Sequence, residues 1–336
     1  MKIWNRPLKI GLVGATGVVG ETFINLLEEF TQPIEELRPF ASANSEGQKL
    51  HLAGVDWIVQ TLKPNCFQGL DLVFFSSGDD ISQEWAPEAI KAGAFAIDNS
   101  NAFRMNSEIS LVVPEVNGQL LNPNSKPQII SNPNCSTIQL TVALKPLADQ
   151  FGIDEVTVST YQAVSGAGLP GYEELLGQTK DFQEMDHEPK IFPKQILFNC
   201  IPQIGSFDAN GFCTEEIKIM NETKKIMNLP DLKISAFTVR IPALNSHSEA
   251  VWVTLKKTDV TKQQILNAMG EFDGIAVMDQ DYPTPLEVSG EDPVFVGRIH
   301  QDLSNPARWM MWVVSDNLKK GAALNGLQIA ERLFCD

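Results

Sequence analysis

The chain has 336 residues, 43% hydrophobic and 20% charged, enough to bury a real core and to fill two domains. Its formal net charge of −16 discourages nucleic acid and anionic membranes as partners, and no apolar stretch has the length needed to cross a bilayer. The odd set of scattered cysteines (Cys66, Cys135, Cys200, Cys213, Cys335) argues against a disulfide framework or a thiolate metal cage. The histidines His51, His187, His247 and His300 lack metal-ligand spacing as well.

Met1-Lys2-Ile3-Trp4-Asn5-Arg6 leads straight into a strand with no signal-peptide pattern, so a cytoplasmic location is expected. Leu8–Val13 reads as that short buried strand, and Val19, Phe23, Leu26, Leu27 and Phe30 follow at helical spacing. Between them lies Gly14-Ala15-Thr16-Gly17-Val18-Val19-Gly20, a G-x-x-G-x-x-G variant of the dinucleotide fingerprint. Glycines there let backbone N–H groups approach a pyrophosphate at the helix N-terminus, and the last allows close helix–strand packing. The strand–turn–helix context points to a nucleotide, with Gly14, Thr16, Gly17, Val18 and Val19 as candidate contacts.

A second strand, Leu37–Ala41, runs into Ser42-Ala43-Asn44-Ser45-Glu46-Gly47, where the chain meets the adenosine ribose. Ser42, Asn44 and Ser45 suit either a 2′-phosphate or a 2′-hydroxyl, and Glu46 favours the hydroxyl, so this loop leaves NADP and NAD both open. Further strands are expected at Leu72–Ser76, Phe95–Asp98, Leu111–Val113 and Gln128–Ser131, with a helix at Gln83–Ala92. This alternation implies right-handed βαβ units and a parallel sheet. Ser76 ends one strand on the cofactor edge, and Arg104 follows the end of another, where ligands gather in α/β sheets.

In Ser131-Asn132-Pro133-Asn134-Cys135-Ser136-Thr137 a thiol meets a helical stretch that begins at Ser136. The positive end of the helix dipole favours thiolate over thiol and makes a nucleophile at neutral pH. After about residue 133 the strands become longer and more alternating: Val156–Ala163, Ile234–Pro242, Glu249–Leu255, Pro293–His300 and Trp309–Ser315. Helices are expected at Pro170–Thr179 and Thr261–Met269. A last one spans Leu318–Phe334, with Ala323, Leu327, Ala330 and Phe334 on one side. The expected architecture is α/β: a Rossmann-type parallel-sheet domain over residues 1–133, then an α+β domain with a mixed, largely antiparallel sheet over residues 134–317. The C-terminal helix, residues 318–336, is expected to pack back on the first domain.

The second domain carries the remaining candidates. Gln162 ends a strand where a side-chain amide can orient a thiol or a carbonyl oxygen, and the small residues after it make room for a flat ring. Arg240 offers a bidentate fork to a carboxylate. His247, near its own pKa, can shuttle a proton. Glu215 and Lys218 stand three apart on one helix face, a spacing that also suits an ordinary surface ion pair.

Together these segments resemble the aspartate-β-semialdehyde dehydrogenase family nearly end to end. The resemblance rests on Gly14–Gly20, Asp98–Arg104, Val112-Val113-Pro114-Glu115-Val116-Asn117, Asn132–Thr137, Ser159–Gly168, Glu215–Lys218, Arg240–Glu249 and Asp316–Asn325. It implies an enzyme: reversible NADP-dependent reductive dephosphorylation of L-4-aspartyl phosphate to L-aspartate 4-semialdehyde and phosphate, on the route to diaminopimelate, lysine, threonine and methionine. It also implies a homodimer joined through the second domain, with tetramers open. By resemblance Cys135 is the nucleophile, His247 the acid/base and Gln162 the residue that orients the reacting groups. Arg240 binds the substrate carboxylate, Glu215 lies near its amino group, and Arg104 and Lys218 bind phosphate. Ser165, Gly166 and Asn325 match cofactor positions.

Two departures stand out. Asn44 replaces the arginine of the family's adenosine loop and Glu46 a small residue, which opens the cofactor site to NAD; and Gly78-Asp79 stands where the family has Gly-Gly. The rival readings are a related acyl-phosphate reductase acting on N-acetyl-γ-glutamyl phosphate, and a non-catalytic nucleotide-binding paralogue. Glu215, suited to a free amino group, argues against the first. The joint presence of Cys135, Gln162, Arg240 and His247 argues against the second.

Overall fold

Every residue of Leu72-Val73-Phe74-Phe75 is buried, which a strand achieves only when both of its faces are covered. The computed structural model describes residues 1–180 and 188–335, so His187 and position 336 lie outside the described residues. The chain divides into two compact units, Met1–Asn134 with Ala322–Asp336, and Cys135–Gly321.

The first unit contains β1 (Leu8–Val13), α1 (Val18–Glu29), β2 (Ile34–Phe40), a hairpin of β3 (Lys49–Leu52) and β4 (Val55–Ile58), β5 (Leu72–Phe75) and α2 (Asp79–Lys91). It continues with β6 (Phe95–Asp98), β7 (Ser110–Leu111), the single turn α3 (Pro114–Asn117) and β8 (Ile129–Ser131). Six strands form a parallel sheet in the order β2-β1-β5-β6-β8-β7. The two-residue period of β5 sorts its side chains. Leu72 and Phe74 join Phe23, Leu26 and Leu27 of α1 in one core, and Val73 and Phe75 join Ala86 and Ala89 of α2 in another. Each large apolar side chain so buried contributes roughly 1.5–3 kcal/mol.

The second unit contains α4 (Cys135–Phe151), β9 (Ile153–Gln162), α5 (Gly168–Lys180), α6 (Thr214–Met227), β10 (Lys233–Arg240) and β11 (His247–Leu255). After these come α7 (Lys262–Gly270), β12 (Ile275–Met278), α8 (Pro285–Val288), β13 (Val294–Gln301) and β14 (Arg308–Ser315). Its sheet runs β10-β9-β11-β14-β13-β12, antiparallel in the middle and parallel in the outermost pair at each edge. In β9 Val156, Val158, Thr160 and Gln162 are buried while Thr157, Ser159 and Tyr161 are not. Helices α4, α6 and α7 pack on this sheet. The opposite face keeps Tyr161, Ala250, Trp252, Met310 and Trp312 partly exposed.

The last predicted helix is interrupted. Lys319–Ala323 forms a wide π turn, and only then does α9 (Leu324–Phe334) begin. It belongs to the first unit, where Phe334 meets Phe95 edge-on at 5.7 Å and a Cβ on Gly326 would strike the Phe74 ring at 2.3 Å. Leu111–Val113 also differs from expectation, for the ladder stops at Leu111. The Asn117 side chain accepts the Val113 N–H at 2.9 Å and draws it into the turn before Pro114. Strands β3, β4 and β12 have no counterpart among the predicted elements. The hairpin turns through Ala53 and Gly54, both at positive φ, and alanine is a rare residue for that conformation. Among the described residues no helix is long and apolar enough to cross a membrane.

Candidate active site

Strands β9 and β10 run parallel with Gln162 opposite Arg240, so both side chains leave the sheet at the edge where the two strands end. Strand β11 starts at the same edge, running the other way, with His247 as its first residue. Cys135 opens α4 and is partly exposed. Its charge and that of Arg240 interact. A Cβ placed on Gly321 would come within 2.9 Å of the Cys135 Cβ, so only glycine lets the turn after Asp316 pass behind the thiol.

One backbone residue anchors two of these groups. The Ala163 N–H donates to His247 Nδ1 at 3.0 Å, and the Ala163 carbonyl accepts from Arg240 Nη1 at 2.6 Å. Gly166 closes over both, since a Cβ there would lie 2.8 Å from Arg240 Nη1 and 3.1 Å from His247 Nε2. The Arg240 guanidinium also sits 5.9 Å from the centre of the Phe192 ring, within cation–π range. Gln162 accepts from the Thr160 hydroxyl at 3.0 Å and donates to Glu215 at 3.1 Å, and Glu215 is 3.7 Å from Lys218 one helical turn on. The second unit therefore brings together Cys135, Gln162, Glu215, Lys218, Arg240 and His247. Ser165, a candidate cofactor contact, is buried, and its hydroxyl accepts from the Asn317 amide at 3.0 Å. Its hydroxyl braces the loop.

Burial lowers the pKa of Arg240, while the Glu215 carboxylate and the Cys135 thiolate oppose the shift. Burial, then the Arg240 charge, push His247 well below the ordinary imidazole range against the pull of the Ser246 carbonyl, so the ring is neutral near pH 7. Its Nε2 has no hydrogen-bond partner among the described residues, an arrangement that costs about 1–3 kcal/mol until something accepts from it. Ser246, just before, is held at φ +69, a left-handed conformation that disfavours non-glycine residues, by its N–H bond to Asn317 Oδ1 at 2.9 Å. Asp316 Oδ2 accepts from Asn245 Nδ2 and from the Gly290 N–H, each at 2.7 Å. Ala163, Gly321, Asp316 and Asn317 thus hold the site, and sequence reasoning assigned them no role. The Asp-Asn doublet at a strand end was the one available signal.

Behind His247, two residues along β11, Glu249 is wholly buried with neither carboxyl oxygen hydrogen-bonded among the described residues. Burial raises its pKa well above the usual range, opposed by the amide of Gln139, one turn along α4 from Cys135. A carboxyl whose folded pKa is raised stabilises fully below its unfolded pKa, and the contribution is lost as pH rises toward the folded value. Glu249→Gln, which keeps the shape without the charge, should therefore match the parent's melting temperature near pH 4 and exceed it above about pH 7. Thermal melts across that range check this; equal decline in both proteins would show that Glu249 is not held neutral.

In the first unit, a Cβ on Gly14 would lie 2.3 Å from the Ser76 carbonyl oxygen, and one on Gly20 would lie 2.4 Å from that of Gly14. Gly17 caps α1 without a side-chain hydrogen bond, which leaves the first-turn N–H groups to a ligand. Thr16 to Val19 are partly exposed there, as is Ser76. These residues fit a dinucleotide pyrophosphate. Ser42 and Asn44 are exposed, and the Ser45 hydroxyl is 3.3 Å from that of Thr16. Glu46 turns to Thr61 at 3.2 Å and Lys63 at 3.6 Å. Asp79 accepts the Asn101 N–H at 2.8 Å and so ties the start of α2 to the loop after β6. In that loop Arg104 is buried and donates to the Asn99 carbonyl at 2.8 Å, its charge partly offsetting the upward push of burial on Asp98. Asn325 is fully buried and donates to the Val112 carbonyl at 2.9 Å and to Asn132 Oδ1 at 2.7 Å. Its amide ties α9 to the strand ends.

Residues 9–122 match the family described as semialdehyde dehydrogenase, NAD binding domain, and residues 144–320 the one described as semialdehyde dehydrogenase, dimerisation domain. An aspartate-semialdehyde dehydrogenase of Bacillus subtilis is 45% identical over 340 residues, covering 98% of each chain. Among solved structures, aspartate semialdehyde dehydrogenase II of Vibrio cholerae, complexed with ASA, superposes with a TM-score of 0.93 at 41% identity, covering 99% of each chain. An aspartate semialdehyde dehydrogenase of Candida albicans with NADP gives 0.75 at 28% identity, covering 97% of this chain and 98% of that one.

Proposed function

The chain belongs to the aspartate-semialdehyde dehydrogenase family, and from that footing we propose that it reversibly converts L-4-aspartyl phosphate to L-aspartate 4-semialdehyde and phosphate through a thioester on Cys135. The observation that carries this reading is the convergence, within one unit, of a helix-opening cysteine with the buried Arg240, Glu215, Gln162 and His247. The positive end of α4 and the Arg240 charge favour the thiolate, which attacks the acyl carbon and expels phosphate. Arg240, whose Nη1 is fixed on Ala163, presents the rest of its fork to the substrate carboxylate, and Glu215 faces the α-ammonium. Gln162, held between Thr160 and Glu215, orients the acyl group, and His247 Nε2 serves its oxygen. Arg104 and Lys218 supply the positive charge that phosphate needs in so acidic a protein.

The family brings a nicotinamide cofactor, which when bound gives or takes a hydride at the acyl carbon. The turn Gly14–Gly20 would hold its pyrophosphate, and Ser42, Asn44 and Ser45 its adenosine ribose, with Ser76, Ser165, Gly166 and Asn325 as further contacts. NADP is the proposed form. Glu46 is already engaged by Thr61 and Lys63, so it does not stand as a bare charge against a 2′-phosphate. The dimerisation-domain match makes the protein a homo-oligomer. We read it as a homodimer joined through the open face of the second sheet, where Tyr161 and Trp312 lie 5.4 Å apart. Its cysteines, none of them in a disulfide among the described residues, suit the reducing cytoplasm.

Initial rates with aspartate semialdehyde and phosphate, using NADP or NAD, test the reading. Phosphate-dependent reduction of the nucleotide is expected, with the lower KM for NADP. N-acetylglutamate semialdehyde is expected to be inert, because the pocket meets its amino end with Glu215. Turnover of the acetylated substrate alone would replace this reading with its rival, and a lower KM for NAD would overturn the cofactor assignment.

A further inference from the structure

We infer that Lys63, held at the ribose loop by Glu46, is the cation that meets the 2′-phosphate of NADP and so sets the preference for NADP over NAD. The ligand rests on the cofactor reading proposed above; the position of Lys63 rests on the geometry of the first unit. In a βαβ nucleotide fold the end of the second strand meets the adenosine ribose. Here β2 runs parallel to β1 with Phe40 opposite Val13, so residues 42–47 leave the sheet beside the glycine-rich turn. The Thr16 and Ser45 hydroxyls, 3.3 Å apart, join the two.

After the hairpin of β3 and β4 the chain returns to this loop. Gln60 bridges Phe40 in parallel: its N–H donates to the Pro39 carbonyl at 2.9 Å, and its carbonyl accepts the Ala41 N–H at 3.0 Å. Val59 fixes the other end, where its carbonyl accepts the Gly47 N–H at 2.9 Å and its N–H donates to the Gln48 carbonyl at 2.8 Å. Backbone bonds thus pin this segment to both ends of the loop, and Lys63 follows shortly after. Glu46 accepts from the Thr61 hydroxyl at 3.2 Å and lies 3.6 Å from Lys63 Nζ. The acid that reads from sequence as an obstacle to a 2′-phosphate is therefore the group that draws a lysine to it.

Residues 42–47 carry no cation of their own, and the other cations nearby are committed elsewhere. Lys49 turns to Asp56 at 3.3 Å and Lys9 to Glu35 at 3.2 Å. Arg38 spends its nitrogens on Glu36 and on the carbonyls of Cys66 and Gln68. Lys63 differs. Its side chain is 68% exposed, its flexible stem can swing, and its contact with Glu46 is longer than a hydrogen bond, so its three donors remain for phosphate oxygens. A phosphate monoester with about two negative charges attracts an ammonium more strongly than one carboxylate does. The 2′-hydroxyl of NAD gains nothing comparable. In a chain of net charge −16 such a ligand requires a local cation.

Titration calorimetry of the full-length protein with NADP and with NAD tests the inference without recourse to turnover. Lys63→Met keeps most of the stem and removes the charge. It is expected to raise the Kd for NADP about 5- to 30-fold and to move that for NAD by less than about twofold, whereas Lys63→Arg keeps the wild-type preference. Raising salt from about 50 to about 300 mM should weaken NADP binding more in the wild-type protein than in Lys63→Met, because the variant has one charge fewer to screen. An unmoved Kd for NADP in Lys63→Met, or an equal loss for both nucleotides, would overturn the assignment. Should the wild-type protein bind NAD more tightly than NADP while Lys63→Met still loses affinity for NADP alone, Lys63 keeps its role and the choice of NADP falls. Binding of neither nucleotide would remove both.

Discussion

Cys135→Ala is expected to abolish turnover in both directions, by at least about four orders of magnitude, while leaving the affinity of the first unit for its nucleotide unchanged. The sulfur is the covalent centre: without it no thioester forms, and the acyl carbon is never presented in a form that accepts a hydride. Nucleotide affinity should survive because Gly14, Gly17 and Gly20 lie in the other unit, on a sheet with its own two cores. Cys135→Ser should be nearly as inactive, since a hydroxyl is hardly ionised near pH 7 even at the positive end of α4. Steady-state rates paired with nucleotide titration by fluorescence make the distinction. Appreciable turnover by the alanine variant would remove the covalent route.

Arg240→Lys should act on binding rather than on chemistry. A lysine ammonium is a point charge and cannot reproduce a fork that bonds the Ala163 carbonyl with one nitrogen and keeps others for a carboxylate. Loss of one charge-assisted bond at a site this buried should raise the KM for aspartate semialdehyde about 10- to 100-fold, with a much smaller change in kcat. Initial-rate measurements separate the two constants. An unaltered KM would place the substrate carboxylate elsewhere, and a fall confined to kcat would mean that Arg240 acts on the reacting atoms.

Much of the fold was legible because its strands are short apolar runs between turns. Leu8–Val13 and Phe95–Asp98 coincide with the expected spans, and the alternation of Val156 to Gln162 announces a sheet with one face left open. The hairpin of β3 and β4 was hidden by Ala53, which turns at positive φ where Asn or Gly would have given the signal. The strand expected through Val113 was cut short by a side chain, Asn117, competing for a backbone N–H.

At the candidate site, residues with reactive or charged side chains could be named from the sequence because their chemistry is in the side chain. The supports act through backbone groups or through a missing Cβ, as Ala163 and Gly321 do, and such roles leave no trace in residue type. The hydrogen bond on His247 Nδ1 belongs to the same class, coming from a peptide N–H 84 residues earlier in the chain. Glu249 reads from sequence as an ordinary charged residue of an alternating strand; only its burial behind His247 shows that its pKa is pushed up.

The most direct measurement is the intact mass of the protein quenched in acid after mixing with aspartate semialdehyde and oxidised nucleotide in the absence of phosphate. Without its acceptor the acyl group should accumulate, adding one aspartyl residue to the wild-type protein, mapped by peptide digestion to Cys135 and missing from Cys135→Ala. An unmodified wild-type protein under conditions where nucleotide is reduced, or the same adduct on the alanine variant, would contradict a thioester at this sulfur.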